Sequence, residues 1–285
     1  MKLSEIRIRD PFVLPVAAEG AYYLYGTTDE NVWKGKAEGF LTYKSIDLIN
    51  WEGPFQAFKP EKDFWADRQF WAPEVHEYKG AYYMFASFKA ENCYRGTQIL
   101  KADSPTGPFL PYTKGPITPT DMECLDGTLY VEDGTPWIVF SHEWTEAKDG
   151  KIYAMKLTSD LKKAAGEPIL LFSASSSGWA QNVTDGIEEP PIRYVTDGPF
   201  LFWEEGSLKM MWSSFYNDNY AMGIAYSENG RVDGKWKHEK EPFFTKDGGH
   251  GMLFKTFEGK QMLAIHSPNK SPMERAVFIE MEHLR

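Results

Sequence analysis

The chain has only two cysteines in 285 residues, Cys93 and Cys124, too few for a disulfide framework. One bridge between them is open to the sequence, and two buried thiols are the expectation. No run of about 20 apolar residues occurs, so no membrane-spanning helix is expected. The amino terminus, Met1-Lys2-Leu3-Ser4-Glu5-Ile6-Arg7, is charged and runs straight into a strand-like segment, without the apolar stretch of a signal peptide. That reads as a cytoplasmic protein or a trimmed secreted or periplasmic form. There is no long basic run, and the net charge is −10. Nucleic-acid binding rests on clustered Lys and Arg and is therefore disfavoured, as is a polyanionic substrate. A neutral partner suits the charge. No helical periodicity of ten residues or more is found, and no linker or low-complexity tract divides the chain. Carboxylates at calcium-loop spacing are also missing, so any bound ion would be mostly hydrated.

What is present is aromatic side chains, 15% of the residues, and a repeat. Five times a polar residue precedes a short apolar strand, a Gly-bearing turn and a second aromatic-rich strand. The first instance is Asp10-Pro11-Phe12-Val13-Leu14 followed by Gly20-Ala21-Tyr22-Tyr23-Leu24-Tyr25. The others start at Glu74, Asp126, Asp197 and His250. Four of the five units add a further strand, a Ser or Thr turn and an edge strand. Repeated all-β units of this size predict an all-β fold, a single five-bladed β-propeller domain spanning residues 1–285. Equivalent positions in equivalent blades face one axis. The five leading residues are therefore expected to ring the mouth of a central channel. Blades one and four lie across it, which would set a substrate bond between Asp10 and Asp197. The irregular stretch from Ser173 to Arg193 is expected to link blades three and four over one face.

Each leading residue has a bland reading. An Asp before Gly or Pro is a common turn former. Three acids at one repeat position favour chemistry instead. Glycoside hydrolysis without a metal takes two carboxyl groups, one to protonate the departing oxygen and one to activate water or attack carbon. A ring of acids in a partly dry channel separates their pKa values, because like charges do not all ionise cheaply.

The motifs Arg9-Asp10-Pro11-Phe12, Phe70-Trp71-Ala72-Pro73-Glu74-Val75, Leu125-Asp126-Gly127-Thr128-Leu129-Tyr130 and Gly249-His250-Gly251 resemble those of glycoside hydrolase family 43 along the whole chain. The resemblance implies a five-bladed propeller and an inverting mechanism on arabinosides, xylosides and related plant-wall glycans. It implies Asp10 as general base and Asp126 as the residue that tunes and orients the acid. Asp197 stands where the general acid should be, but the family's Glu-Gly-Pro is here Asp197-Gly198-Pro199. The carboxyl is one methylene nearer the backbone, so Glu188 and Glu189 are substitutes to watch. In arabinan-degrading relatives a channel histidine helps to hold a cation, often calcium, through water. His250 is thus either a cation-holding residue or a buried imidazole bonded to backbone.

For sugar binding the candidates are Trp71, Glu74, Trp144 and His250, with Phe70, Trp33, Trp65, Trp179 and Tyr216 as further aromatics. Glu74 could equally anchor the ring by accepting backbone hydrogen bonds. Arg9 is expected to point away from Asp10, and Arg68 and Arg193 are loop cations within reach of a carboxylate. No cofactor is expected to be required beyond a possible hydrated cation, and the partner is an oligosaccharide or glycan. The reading is an α-L-arabinofuranosidase. The alternatives are a β-xylosidase, an endo-arabinanase, or a carbohydrate-binding propeller weakened by the missing Glu.

Overall fold

A computed structural model describes residues 1–30, 32–184 and 191–283. Five antiparallel sheets form a five-bladed β-propeller. Blade one contains β1 (Arg9–Val16), β2 (Ala21–Thr27), β3 (Phe40–Ser45) and β4 (Glu52–Phe58). Blade two contains β5 (Arg68–Tyr78), β6 (Ala81–Lys89), β7 (Gly96–Ala102) and β8 (Leu110–Pro111). Blade three contains β9 (Cys124–Glu132), β10 (Thr135–His142), β11 (Lys151–Lys156) and β12 (Ile169–Ser173), with a short helix α1 (Trp144–Ala147) after β10. Blade four contains β13 (Asp197–Glu204), β14 (Ser207–Tyr216), β15 (Asn219–Ser227) and β16 (Trp236–His238). Blade five has three strands, β17 (Gly249–Lys255), β18 (Gln261–Ser267) and β19 (Arg275–Glu280).

The missing outer position of blade five is filled from the other end of the chain. Arg7 pairs with Arg275 of β19, and the Ile8 N–H donates to the Glu274 carbonyl. This closes the ring and covers an edge that would otherwise offer unpaired backbone groups.

The aromatic excess is mostly material between blades. Phe40, Phe58, Phe70 and Phe88 are all buried where blades one and two meet, and the Phe70 and Phe88 rings are 4.9 Å apart. Trp137, Trp179, Trp212 and Phe172 do the same between blades three and four. Each such side chain contributes about 1.5–3 kcal/mol by burial. Phe70 and Trp179 are therefore core residues, not sugar platforms. The two cysteines are free thiols, Cys124 buried and Cys93 exposed, so only one of the pair is buried as expected. Among the described residues no helix is long and apolar enough to cross a membrane.

The repeat is real, but its register differs from the sequence reading. In every blade the first strand carries a bulge near its start, and the register skips there. The bulge residue has positive φ: Asp10 (52°), Ala72 (46°), Asp126 (55°), Gly198 (51°) and His250 (50°). Asp is among the few side chains that tolerate this conformation, and Gly meets it without strain. Asp10, Asp126 and His250 are thus truly equivalent. Asp197 stands one residue before its bulge and Glu74 two residues after, so neither occupies the predicted lead position.

The bulge turns an N–H toward the preceding blade. Ala72 donates to Thr27 Oγ1 (2.8 Å), Asp126 to Ser87 Oγ (2.8 Å) and His250 to Ser213 Oγ (2.8 Å). Asp10 donates to His266 Nδ1 (3.2 Å). The acceptors stand at matching places near the ends of second strands. At the fourth junction the equivalent Ser141 hydroxyl has no partner, because Gly198 N–H goes to a carboxylate instead.

Candidate active site

A cavity of about 750 Å³ opens where the bulges converge. Asp10, Asp126, Asp197 and His250 all line it, together with Trp33, Trp71 and Trp144. Three carboxylates far apart in sequence are brought to one place, as the repeat implied.

Two contacts hold the Asp10 carboxylate. Its Oδ2 accepts a bond from Thr27 Oγ1 (2.7 Å), and its Oδ1 lies 3.3 Å from His250 Nδ1. Burial by itself raises its pKa, but His250, Arg9 and the Thr27 hydroxyl outweigh that and bring it below the usual carboxylate value. His266 Nδ1 also lies 3.4 Å from Asp10 Oδ1. This is not an ion pair. The same nitrogen accepts the Asp10 N–H, so it carries no proton. Burial, with Arg9 nearby, lowers the His266 pKa to about 3 and keeps the ring neutral.

Asp126 and Asp197 are both shifted the other way from Asp10. Asp126 Oδ2 accepts the Gly198 N–H (3.0 Å) and lies 3.7 Å from His250 Nδ1. Asp197 Oδ2 accepts the Tyr220 hydroxyl proton (3.0 Å). Burial, and then the neighbouring Asp126 charge, raises Asp197 to about 7. Burial also raises Asp126, to about 6 against the pull of His250. The partly exposed acid of the two, open to the cavity, is Asp197. His250 is buried, which disfavours its charge, yet Asp10 and Asp126 raise its pKa overall.

The remaining candidates divide. Trp71 lines the cavity with its ring fixed: Nε1–H donates to the Val32 carbonyl (2.7 Å) and the Arg95 guanidinium stacks 3.8 Å from the ring centre. Trp33 stands edge-on to it at 5.5 Å, half exposed at the rim. Glu74 does not reach the cavity. It is buried along β5, where its Oε2 meets His76 Nε2 at 3.1 Å. Trp65 turns away to Gln98 and Tyr216 to Glu241. Arg9 lines the cavity instead of pointing away from Asp10: it bonds Glu274 (2.8 Å) and Asn269 (2.9 Å) and lies over Trp33. Arg68 is occupied by Asp67 and Glu91 outside the site, and Arg193 is not among the lining residues. Glu188 and Glu189 lie outside the described residues, while their flanks Val183 and Val195 line the cavity.

Among the described residues no three His, Cys, Asp or Glu side chains are placed to hold a metal ion. His250 Nδ1 faces two carboxylates, those of Asp10 and Asp126.

Sequence reasoning missed Arg95, Glu143, Tyr220 and His266. Arg95 is buried, with Nε 3.1 Å from Glu143 and Nη2 donating to Gln69 Oε1 (2.9 Å). Tyr220 stacks on His266 at 5.5 Å and 20°. Tyr220 lies on a third strand and His266 on a second, while Arg95 and Glu143 lie just before a third strand and just after a second, where nothing in the local pattern marks them.

A carboxyl held below its usual pKa and another raised above it, around a single cavity, can together activate water and protonate a leaving oxygen, the two demands of glycosidic cleavage. A five-bladed propeller with that arrangement is a glycoside hydrolase fold and site. The family model "Glycosyl hydrolases family 43" matches residues 3–282, and the chain belongs to that family, whose members invert the anomeric centre and act on glycans. An endo-arabinase from Bacteroides thetaiotaomicron is 41% identical, with a TM-score of 0.90 over 98% of this chain and 96% of that one. An endo-1,4-beta-xylanase structure from the same organism is 25% identical, with a TM-score of 0.76 over 96% of this chain and 90% of that one. An extracellular exo-alpha-(1->5)-L-arabinofuranosidase from Cellvibrio japonicus is 24% identical, covering 93% of this chain and 80% of its own.

Proposed function

We propose that this protein hydrolyses α-L-arabinofuranosyl linkages, with Asp10 as general base, Asp197 as general acid and Asp126 as the residue that keeps Asp197 protonated. The observation that carries this is the split in protonation. Asp10 is depressed by its cationic and hydroxyl partners, and Asp197 is raised to about 7 by burial beside Asp126. In the reaction Asp10 takes a proton from water as that water attacks the anomeric carbon. The glycosidic C–O bond breaks, its electron pair passes to the leaving oxygen, and Asp197 supplies the proton there. Trp71, held rigid by Arg95 and Val32, offers a flat face to a sugar ring. Two relatives whose printed names refer to arabinose-containing substrates support arabinose over xylose.

An α-L-arabinofuranosidase is the first reading. An endo-arabinanase is the second, favoured by the 41% identity to an enzyme of that name. A hydrated cation held through water beside His250 remains a proposal, and no step above uses it. The test is to incubate the protein with nitrophenyl α-L-arabinofuranoside, nitrophenyl β-xyloside and linear arabinan, and to separate the products. Arabinose alone supports exo action, and mixed oligosaccharides support endo action. Release from the xyloside only would overturn the arabinose assignment. Binding without release would make the chain a carbohydrate-binding propeller.

A further inference from the structure

We propose that Tyr220 is a positioning residue for Asp197: its hydroxyl fixes which carboxyl oxygen carries the proton and then stabilises the carboxylate left after transfer. This rests on the reading of Asp197 as the acid. The motive is the chain's shorter acid. Asp has one rotatable bond fewer than Glu, so its carboxyl must be aimed by something outside itself.

Tyr220 is suited to this. It is buried on β15, and its O–H donates to Asp197 Oδ2 at 3.0 Å. With Oδ2 engaged as acceptor, Oδ1 is the oxygen left to carry the proton toward the cavity. The ring cannot swing away. It stacks on His266 at 5.5 Å and contacts Phe215 at 5.5 Å, and a Cβ at Gly249 would come within 2.6 Å of it. His266 is itself tied to the Asp10 backbone, so one rigid stack links the groups proposed to deliver and accept protons.

The proton balance shows why the bond matters. Before reaction the tyrosine donates to a neutral carboxylic acid. As Oδ1–H passes to the glycosidic oxygen, Asp197 becomes an anion, and the same bond becomes charge-assisted and stronger. An interaction that strengthens along the reaction lowers the barrier instead of merely tightening binding. The groups facing Asp197 are Asp126, His250, Asp10 and Tyr220, and those facing Tyr220 include Arg9, Asp10 and Asp126.

The experiment compares wild type, Tyr220→Phe and Asp197→Asn on an arabino-oligosaccharide and on dinitrophenyl α-L-arabinofuranoside, whose leaving group needs no proton. Tyr220→Phe should lower kcat on the oligosaccharide by about 10- to 100-fold with KM little changed, and on the activated substrate by less than about 3-fold. Its alkaline limb should move to higher pH, since a bond favouring the ionised acid is gone. Site-specific 3-fluorotyrosine at 220, a stronger donor in the same shape, should move the limb to lower pH. Carbon NMR of labelled aspartate follows the Asp197 carboxyl without turnover and should show the same two displacements. Equal losses on both substrates with an unmoved limb would reduce Tyr220 to packing. If Asp197→Asn itself lacks the leaving-group dependence, the assignment of the acid falls instead, and the NMR displacement alone then decides whether Tyr220 tunes this carboxyl.

Discussion

The backbone N–H of Gly198 donates to Asp126 Oδ2 at 3.0 Å, so the residue that follows Asp197 is clipped to the carboxylate that perturbs it. Elsewhere in the ring a hydroxyl or imidazole takes the equivalent N–H. Here a carboxylate takes it, which holds two acids side by side despite their repulsion.

Asp126→Asn should separate these roles. The amide oxygen can still accept from Gly198, so the fold should persist. The negative charge beside Asp197 is lost, which lowers the Asp197 pKa from about 7 toward its ordinary value. The alkaline limb of the pH–rate profile should therefore fall to lower pH, and kcat at pH 7 should drop by about 100-fold or more. A pH–rate profile of the purified variant measures both.

Gly198→Ala should damage both structure and turnover. The residue has φ of 51°, and an added Cβ would come within 2.7 Å of the His250 ring. The expected cost is about 1–3 kcal/mol from backbone strain and displacement of His250. Thermal unfolding together with kcat/KM checks it. Unchanged values for both would contradict the clipped geometry.

Asp197→Asn should stabilise the protein at high pH. The folded pKa is raised to about 7 from an ordinary 3.8. The folded state thus holds the proton more tightly than the unfolded one. Its stabilising contribution is complete below about pH 4 and is lost as pH rises through 7. The variant escapes that loss, so its Tm should exceed the wild type's by several degrees at pH 8, on the order of 1–3 kcal/mol, and match it near pH 3.5. Calorimetry from pH 3.5 to 8 reads the convergence.

Arg95 and Glu143 are buried partners 3.1 Å apart beneath Trp71. Arg95→Ala leaves the Glu143 carboxylate without its cation and Trp71 without its stacked support. We expect a loss of about 3–5 kcal/mol and a raised KM. Arg95→Met combined with Glu143→Leu removes both charges and should cost less stability while KM stays raised. A double-mutant cycle by denaturant titration and steady-state kinetics separates the two effects.

The blade grammar was legible along the chain. Strand, Gly turn and aromatic strand recur because they are local preferences, and they were enough for five blades and for Asp10, Asp126 and His250. Asp and His at a positive-φ bulge are a local signature too. The sheet pairing then revised the register. Asp197 precedes its bulge and Glu74 follows its own, so one of these side chains reaches the cavity and the other is buried beside His76. A one- or two-residue offset does not show in a repeat whose loops vary in length. It is set by which residues pair across the strands, and side chains alternate faces along a strand.

The sequence by itself therefore determined the architecture, the family and the convergence of Asp10, Asp126, Asp197 and His250 on one channel, because these depend on backbone preferences and on residues near one another in the chain. Only the tertiary structure shifted Asp10 and Asp197 in opposite directions, set Tyr220 and His266 against them, and stacked Arg95 on Trp71. A carboxyl's pKa is a sum over burial and charges contributed by four different blades, and no stretch of chain contains that sum.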